Sequence, residues 1–349
     1  MLPWLGNLLI PVYGPFRLLT SYLFLAGTGT ALAALSTWFL LPRLWHHLPS
    51  DKGRAHAVNA KQSVGKPVGA GILFMSVYIV TCLLFIPFKP HILAALGCVI
   101  LSMIEGFLDD RKQGGWSEYV LGAADLGISI LAAITLCRHN EVEIWLPLFK
   151  TPFILSPWLY IPFATGIIWL TINATNCTDG VDGLSGSLTA LAFLTLGGIL
   201  YAVVGHQDIS SYLLVPHYSD GADWALMSFI LVGTLSGYLW HNAFPSAVLM
   251  GDAGSRPLGL LLGMLGLASG NPFLILIVAS VVLANGATGL LKVALLRFLK
   301  ISIFGNVRYP LHDHVRQNRG WSNTQVMVRF MLLQAVGTPI LLVLLFKVR

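Results

Sequence analysis

The sequence predicts an all-α integral membrane protein with about ten transmembrane helices, formed by a single domain over residues 1–349. Of its residues, 56% are hydrophobic and only 10% are charged, whereas soluble globular domains carry about 25% charged residues. A soluble fold of this length could not bury so much apolar surface, so the bilayer must solvate most of the chain. Apolar runs recur along the whole length, and no early small-residue cleavage site indicates a signal peptide.

Ten segments are apolar enough for spanning helices, each of which needs about 20 mostly apolar residues. They are residues 18–41, 68–88, 91–108, 119–137, 158–175, 184–204, 223–240, 256–269, 272–296 and 324–347. Residues 1–16 are interrupted by prolines and glycines, and we expect them to lie at the membrane interface. The connection 138–157 alternates in part between polar and apolar residues, which favours a small surface hairpin.

Charge asymmetry predicts the orientation. Lysine and arginine residues, including Arg256 at the start of the eighth span, are more than twice as frequent on the odd-numbered loops and their edges as on the other side. Such an excess marks cytoplasmic loops, so we expect both termini outside the cytoplasm. Six aspartates all fall in or at the edges of the same loops, namely Asp109, Asp110, Asp179, Asp182, Asp252 and Asp313. We therefore expect an active site on the cytoplasmic face.

Two function classes are not expected. The net charge is +6, but the basic residues are scattered and form no dense stripe suited to nucleic acid. The four cysteines lie in or beside apolar segments without a CxxC pair, so structural zinc and a disulfide framework are not expected either.

The first polar motif, Glu105-Gly-Phe-Leu-Asp109-Asp110, ends the third span. Adjacent carboxylates at a membrane edge repel each other, so a cation should compensate them. The motif indicates either a solvated helix end or a metal-phosphate site with a general base, since crowding and partial burial raise the pKa of a carboxylate.

The second motif runs from Asn173 to Gly186 and contains Asn176, Asp179 and Asp182. The spacing of the two aspartates would place them on one side of a helical turn. Glycines such as Gly180 let backbone amides approach a ligand closely. A purely structural turn would not need so many polar groups, so this motif favours function.

The third motif begins with His241-Asn242 and ends with Gly251-Asp252-Ala-Gly-Ser255. Such a turn at a helix start offers amide and hydroxyl donors for phosphate and a carboxylate for a metal. The alternative is a helix cap, with Asp252 or Ser255 as the capping residue.

The fourth motif is Pro310-Leu-His312-Asp313-His314. A histidine pair in a loop is usually inert, but this pair shares a face with the aspartates and could bind phosphate or handle a proton. So many carboxylates cannot bind a pyrophosphate unaided. Mg²⁺ resolves the conflict because it binds one or two carboxylates together with substrate phosphates. The four motifs together predict metal-assisted phosphoryl transfer.

In this order and topology, the four motifs resemble the polyprenyl-phosphate N-acetylhexosamine-1-phosphate transferase superfamily (glycosyltransferase family 4) over nearly the whole chain. Thr178-Asp179-Gly180, Asp182-Gly183-Leu184 and Pro310-x-His312-x-His314 are most similar to the branch that acts on UDP-MurNAc-pentapeptide and undecaprenyl phosphate. The resemblance implies Mg²⁺ as cofactor, the bacterial inner membrane as location, a homodimer, and lipid-linked peptidoglycan precursor and UMP as products.

The resemblance also assigns roles by motif match. It implies Asp252 as the magnesium ligand, and an acid pair at the lipid phosphate in which Asp109 is the candidate base. The catalytic residues in this assignment are Asp109, Asp110, Asp179, Asp182 and His312. The substrate-binding residues are Asn176, Gly180, Asn242, Leu249, Gly251 and His314, together with Lys61 and Lys66, of which one replaces the family's lysine. Two further departures are Asp313, where the family has a histidine, and Leu249, where it has a phenylalanine that would stack on the base.

Two alternatives to this assignment stay open at the level of the sequence. A sister enzyme would use UDP-GlcNAc or a related sugar and prime another surface glycan. A transporter would use acids inside the membrane, such as Glu105 and Asp125, as an ion path.

Overall fold

The computed structural model describes residues 1–51, 53, 63–112, 114–137 and 142–347. Nearly all regular structure is helical. The helices are α1 (Leu2–Leu9), α2 (Tyr22–Leu44), α3 (Gly71–Phe85), α4 (Pro90–Arg111), α5 (Glu118–Leu136), α6 (Pro157–Thr178), α7 (Leu184–Gly198), α8 (Gln207–Tyr212), α9 (Gly221–Asn242), α10 (Asp252–Ala268), α11 (Phe273–Val278), α12 (Ser280–Val282), α13 (Thr288–Ala294), α14 (Leu311–Arg319) and α15 (Asn323–Lys347). Short 3₁₀ helices cover Gly14–Thr20 and Trp45–His47, and wider π turns cover Ile199–Val203, Leu283–Ala287 and Leu295–Leu299.

Within the described ranges, seven helices are long and apolar enough to cross a membrane. They are Tyr22–His47, Pro90–Arg111, Glu118–Leu136, Leu184–Val203, Gly221–Asn242, Ser280–Leu299 and Asn323–Lys347. This confirms a multi-pass, all-α membrane protein. The predicted spans 68–88, 158–175 and 256–269 coincide with α3, α6 and α10, which are helical but are not among those seven. The number of ten spans therefore stays a prediction.

The connection predicted as a hairpin does contain one. Strand β1 (Val142–Ile144) pairs antiparallel with β2 (Phe153–Leu155), with Val142 opposite Leu155. The predicted span 272–296, by contrast, is not one helix. It is divided between α11 and the continuous helix Ser280–Leu299, and Ala279 between them departs from helical dihedral angles.

Helix α10 lies at the centre of the bundle. All its residues from Asp252 to Leu267 are buried, and it packs mainly on α6 and α4. A Cβ atom at Gly106 of α4 or at Gly71 of α3 would overlap the backbone of the first turn of α10. These two glycines therefore allow three helices to meet around Asp252.

Candidate active site

Asp110 anchors the start of α10. Its two carboxylate oxygens accept hydrogen bonds from the backbone amides of Asp252 (2.9 Å) and Ala253 (3.0 Å). A carboxylate at this place satisfies amides that have no partner within the helix and complements the helix dipole. Gly251 precedes the helix with φ 70°, and a Cβ there would overlap an Asp110 oxygen. The neighbouring Asp109 accepts a hydrogen bond from the Trp116 amide.

Asp252 is buried in an ion network. Its Oδ2 accepts a hydrogen bond from Arg256 Nε (2.9 Å) and lies 2.9 Å from Arg256 Nη2 in an ion pair. Arg256 Nη1 lies 2.5 Å from Asp125 Oδ2. The same oxygen also accepts a hydrogen bond from the side-chain Nδ2 of Asn173 at 3.3 Å. Neither carboxylate oxygen of the buried Glu105 has a hydrogen-bond partner in the part of the chain that the structure describes. Among the described residues, three buried acidic side chains thus surround the Arg256 guanidinium.

The second motif forms a turn between two helices, not a helical turn. Helix α6 ends at Thr178 and α7 begins at Leu184, so Asp179 and Asp182 lie in the connecting turn and are half-buried. The expectation that both aspartates share one side of a helical turn was wrong, because α6 ends at Thr178 and Asp179 already departs from helical dihedral angles (φ -80°, ψ 63°).

Two asparagines fix this turn to its surroundings. Asn242 Oδ1 accepts from the Gly183 amide at 2.8 Å, and its Nδ2 donates to the Val248 carbonyl at 2.8 Å. Asn176 Nδ2 donates to Ser255 Oγ in α10 at 3.1 Å. The loop after α9, the turn after α6 and the start of α10 are thus joined by side-chain amides.

Lys66 lies beside Asp182. Its Nζ donates to Ser246 Oγ (3.0 Å) and lies 3.9 Å from Asp182 Oδ2, which also accepts from the Ser246 amide (3.1 Å). Leu249 is half-buried, and its backbone pairs with Pro67 and Ala70 at 2.8 and 3.1 Å. Lys61, the other predicted lysine, lies outside the described residues.

His312 belongs to helix α14 and is buried, rather than lying in an exposed loop. Its ring packs against Gly180, where a Cβ would overlap Nε2. Burial, and next the nearby Arg316 guanidinium, lower the pKa of His312 to about 3. Asp313 pairs with Arg316 (3.3 Å), yet burial still raises the pKa of its carboxyl above the usual value.

His314, the second predicted histidine, is held away from this centre. Its Nδ1 accepts from the Arg308 amide (3.2 Å) and lies 2.9 Å from Asn318 Nδ2, in the peripheral part of α14. The structure thus gathers the ends of α4, α6 and α9 with the starts of α10 and α14, and it leaves His314 at the rim.

The donor chemistry around Asp252 fits Mg²⁺, which prefers carboxylate oxygens and retains positions for phosphate and water. Among the described residues, Asp252 is not part of a group of three ligand side chains within 4.8 Å of one another. The group that meets this criterion is His91, Asp220 and Asp223. His91 lies in the first turn of α4, about 27 Å along the helix from Asp109 at 1.5 Å per residue.

Two important residues escaped prediction from the sequence. Arg256 was counted among the cytoplasmic loop charges, but it is buried within α10. Asn285, in the helix Ser280–Leu299, contacts both His312 and Thr178. A lone polar residue within an apolar span was the available signal in both cases, because such residues are costly in a membrane and usually have a specific partner.

Comparison with known proteins gives a consistent result. The chain matches the model of glycosyl transferase family 4 over residues 92–270, which include the first three motifs. It is 49% identical over 342 residues to the phospho-N-acetylmuramoyl-pentapeptide-transferase of Treponema pallidum (strain Nichols), with 97% of this chain and 94% of that protein covered. The protein of the same name from Sulfurimonas denitrificans is 30% identical over 367 residues, with 100% of both chains covered. These matches confirm the family indicated by the motifs.

Proposed function

Because the chain belongs to glycosyl transferase family 4, we propose that it transfers phospho-MurNAc-pentapeptide from UDP-MurNAc-pentapeptide to undecaprenyl phosphate. The products are lipid I and UMP, and the reaction is the first membrane step of peptidoglycan synthesis. The near full-length identity to a transferase of that name carries this proposal. The gathering of the four polar motifs at one end of an apolar helix bundle supports it, since one substrate is a lipid and the other a soluble nucleotide.

The reaction joins two phosphates. An oxygen of the lipid phosphate attacks the phosphorus that carries the sugar, the bond from this phosphorus to the bridging oxygen breaks, and UMP leaves with that oxygen. Such transfers depend mainly on positioning and on stabilisation of negative charge. Mg²⁺, held by Asp252, would neutralise phosphate charge when bound. Lys66 adds a positive charge beside Asp182.

The acid pair has two different roles in this proposal. Asp110 holds α10 through two backbone amides and so positions Asp252. Asp109 is the candidate base that accepts a proton from the lipid phosphate.

Asp109→Asn should lower kcat far more than it weakens binding of a uridine nucleotide. Asp110→Asn keeps one acceptor but places an amide NH₂ against an α10 amide, so it should also lower thermal stability. If these substitutions lowered nucleotide affinity as much as kcat, Asp109 and Asp110 would belong to the nucleotide pocket instead.

The membrane arrangement follows from the function. The soluble donor is cytoplasmic, so the site belongs on the cytoplasmic face of the bacterial inner membrane, with ten spans and both termini outside. The charge bias of the loops supports this orientation. We also propose a homodimer. Ion transport finds less support, since Asp125 is ion-paired with Arg256.

The decisive experiment measures UMP release by the purified protein, with and without undecaprenyl phosphate, over a panel of UDP-sugars and with Mg²⁺ or EDTA. We expect release only with UDP-MurNAc-pentapeptide, the lipid and Mg²⁺ together. Release with UDP-GlcNAc instead would assign the sister activity. No release from any donor, with the protein folded, would contradict a transferase.

A further inference from the structure

Asn285 joins three parts of the candidate site. It is fully buried in the π turn Leu283–Ala287 of the helix Ser280–Leu299. Its Oδ1 accepts from the backbone amide of His312 at 2.9 Å. Its Nδ2 lies 3.1 Å from Thr178 Oγ1 and 3.1 Å from His312 Nδ1. One side chain thus connects the end of α6, the helix Ser280–Leu299 and the start of α14.

These contacts determine the orientation of the amide. A backbone N–H can only donate, so the atom that faces the His312 amide must be the oxygen of Asn285. The Asn285 NH₂ group then faces the other two partners. Thr178 Oγ1 donates to the Ala174 carbonyl at 2.8 Å and can accept from Asn285. The second N–H of Asn285 points to His312 Nδ1, which must accept.

The orientation of the amide in turn determines the tautomer of His312. A neutral imidazole carries one proton, and an accepting Nδ1 leaves that proton on Nε2. His312 Nε2 packs against Gly180, beside Asp179. Asp313 Oδ1 lies 3.7 Å from Nε2, beyond hydrogen-bonding distance. The low pKa of the buried ring keeps it neutral at physiological pH.

We propose that Asn285 is a positioning residue that holds His312 as the Nε2–H tautomer, so that this N–H donates to a phosphate oxygen of the nucleotide-sugar at the Asp179–Gly180 turn. The inference rests on the proposed function for the identity of the ligand. A neutral imidazole N–H suits this place because it is far less acidic than an imidazolium N–H. It can donate to an anionic oxygen without losing its proton to the nearby carboxylates. His312 is thereby a hydrogen-bond donor and not a general acid or base.

Asn285→Asp tests the assignment because it keeps the size of the side chain but replaces the NH₂ group by an acceptor. A carboxylate oxygen next to Nδ1 favours a proton there, so the neutral ring loses its proton on Nε2. We expect kcat to fall roughly 100-fold at pH 8.5, in the range seen when one such donor is removed. In this variant the introduced carboxylate also raises the pKa of His312, so at lower pH its ring becomes an imidazolium with protons on both nitrogens, and the ratio of mutant to wild-type kcat should rise as pH falls from 8.5 to 6.

The matched control is Asn271→Asp. Asn271 is equally buried but lies in the turn between α10 and α11, outside the site. It should show no rise of relative kcat at low pH. A ratio for Asn285→Asp that stays constant with pH would mean that Asn285 only supports the structure, and it would overturn the proposal.

A second measurement needs no substrate. ¹⁵N NMR of histidine-labelled protein, with His312→Gln to identify the signal, reports which ring nitrogen carries the proton. We expect protonated Nε2 and bare Nδ1 in the wild type, and protonated Nδ1 in Asn285→Asp. A wild-type ring protonated at Nδ1 would overturn the proposal. If the NMR spectrum shows the expected tautomer but the wild-type protein releases no UMP, the proposed function is contradicted and the tautomer assignment is not.

Discussion

The two ends of helix α4 both lie beside buried aspartates, but their charges are compensated differently. The far-end cluster consists of Tyr22, Lys89, His91, Asp220 and Asp223. There the carboxylate of the fully buried Asp223 accepts hydrogen bonds from the Tyr22 hydroxyl (2.9 Å) and from Lys89 Nζ (2.6 Å). Lys89 Nζ also lies 3.5 Å from the Asp220 carboxylate. The site-end cluster consists of Glu105, Asp110, Asp125, Asp252 and Arg256. There the Arg256 guanidinium pairs with both Asp125 and Asp252, while Glu105 and Asp110 add further carboxylates.

This difference separates a structural ion cluster from a site prepared for a ligand. At the far end, the chain supplies a cation and a hydroxyl donor for its buried carboxylate, and the cluster joins α2, α4 and α9. At the site end, the excess of carboxylates is unfavourable in a low-dielectric interior unless a cation or proton joins them. A bound Mg²⁺ would add positive charge at the site end, so Mg²⁺ binding and local stability should be coupled there.

The largest effect that this comparison predicts is on turnover. Asp252→Asn should lower kcat roughly 1,000-fold or more, because loss of the proposed metal ligand would forfeit several kcal/mol of charge stabilisation. Asp223→Asn, the matched change at the far end, should alter thermal stability but leave kcat and the Mg²⁺ dependence near wild type. Both are measured by UMP release over a Mg²⁺ titration. Near-normal turnover of Asp252→Asn at low Mg²⁺ would remove Asp252 from the metal site.

The second prediction concerns stability. Arg256→Met leaves Asp125 and Asp252 buried without their cation, and loss of one partner of a buried pair costs about 3–5 kcal/mol. Lys89→Met should cost less, because the Lys89 side chain is 36% exposed and water screens its pair with Asp223. Denaturant titration in detergent compares the two. If Lys89→Met proved the more damaging, the far end would be the more tightly coupled cluster.

The sequence predicted the all-α membrane fold and the grouping of the four motifs because both follow from strong local patterns. It failed where a side chain from a distant segment decides the outcome. Asp252 was considered as a possible cap of its own helix, but Asp110 of α4 provides the carboxylate that binds the first α10 amides. Arg256 could not be placed, because its partner Asp125 is on α5, far away in sequence.

A smaller effect should come from His312. Its pKa is lowered from 6.5 to about 3, so between these values the unfolded chain binds a proton that the folded protein does not. The free energy of unfolding should therefore fall as pH decreases below 6.5, by up to about 1.4 kcal/mol per pH unit. Above pH 6.5, His312 should cause no pH dependence of the free energy of unfolding. Unfolding of wild type and His312→Gln at pH 7 and pH 5 isolates the effect. An equal pH dependence in both proteins would show that His312 titrates normally.

The smallest predicted effect is at Leu249. The Leu249 backbone is fixed by its hydrogen bonds to Pro67 and Ala70, next to the first turn of α10, and its side chain is half-buried. If this position faces the uracil of the donor, leucine offers apolar contact but no ring face. Base stacking on an aromatic ring is worth roughly 1–3 kcal/mol in single-strand binding sites, and leucine already recovers part of that. We therefore expect Leu249→Phe to retain turnover and to tighten UMP and UDP binding several-fold.

The alternative for Leu249 is a packing role between the loop after α9 and residues 67–71. A larger ring would then strain the loop, typically by about 1–3 kcal/mol, without any gain in affinity. Calorimetric titration of UMP and UDP against both proteins distinguishes the two, with a thermal melt of each as the control for packing. Unchanged or weaker binding by Leu249→Phe, together with a lower melting temperature, would show that Leu249 does not contact the base. Tighter binding without loss of stability would place the uracil against the wall formed by Leu249, on the same side of the site as Lys66.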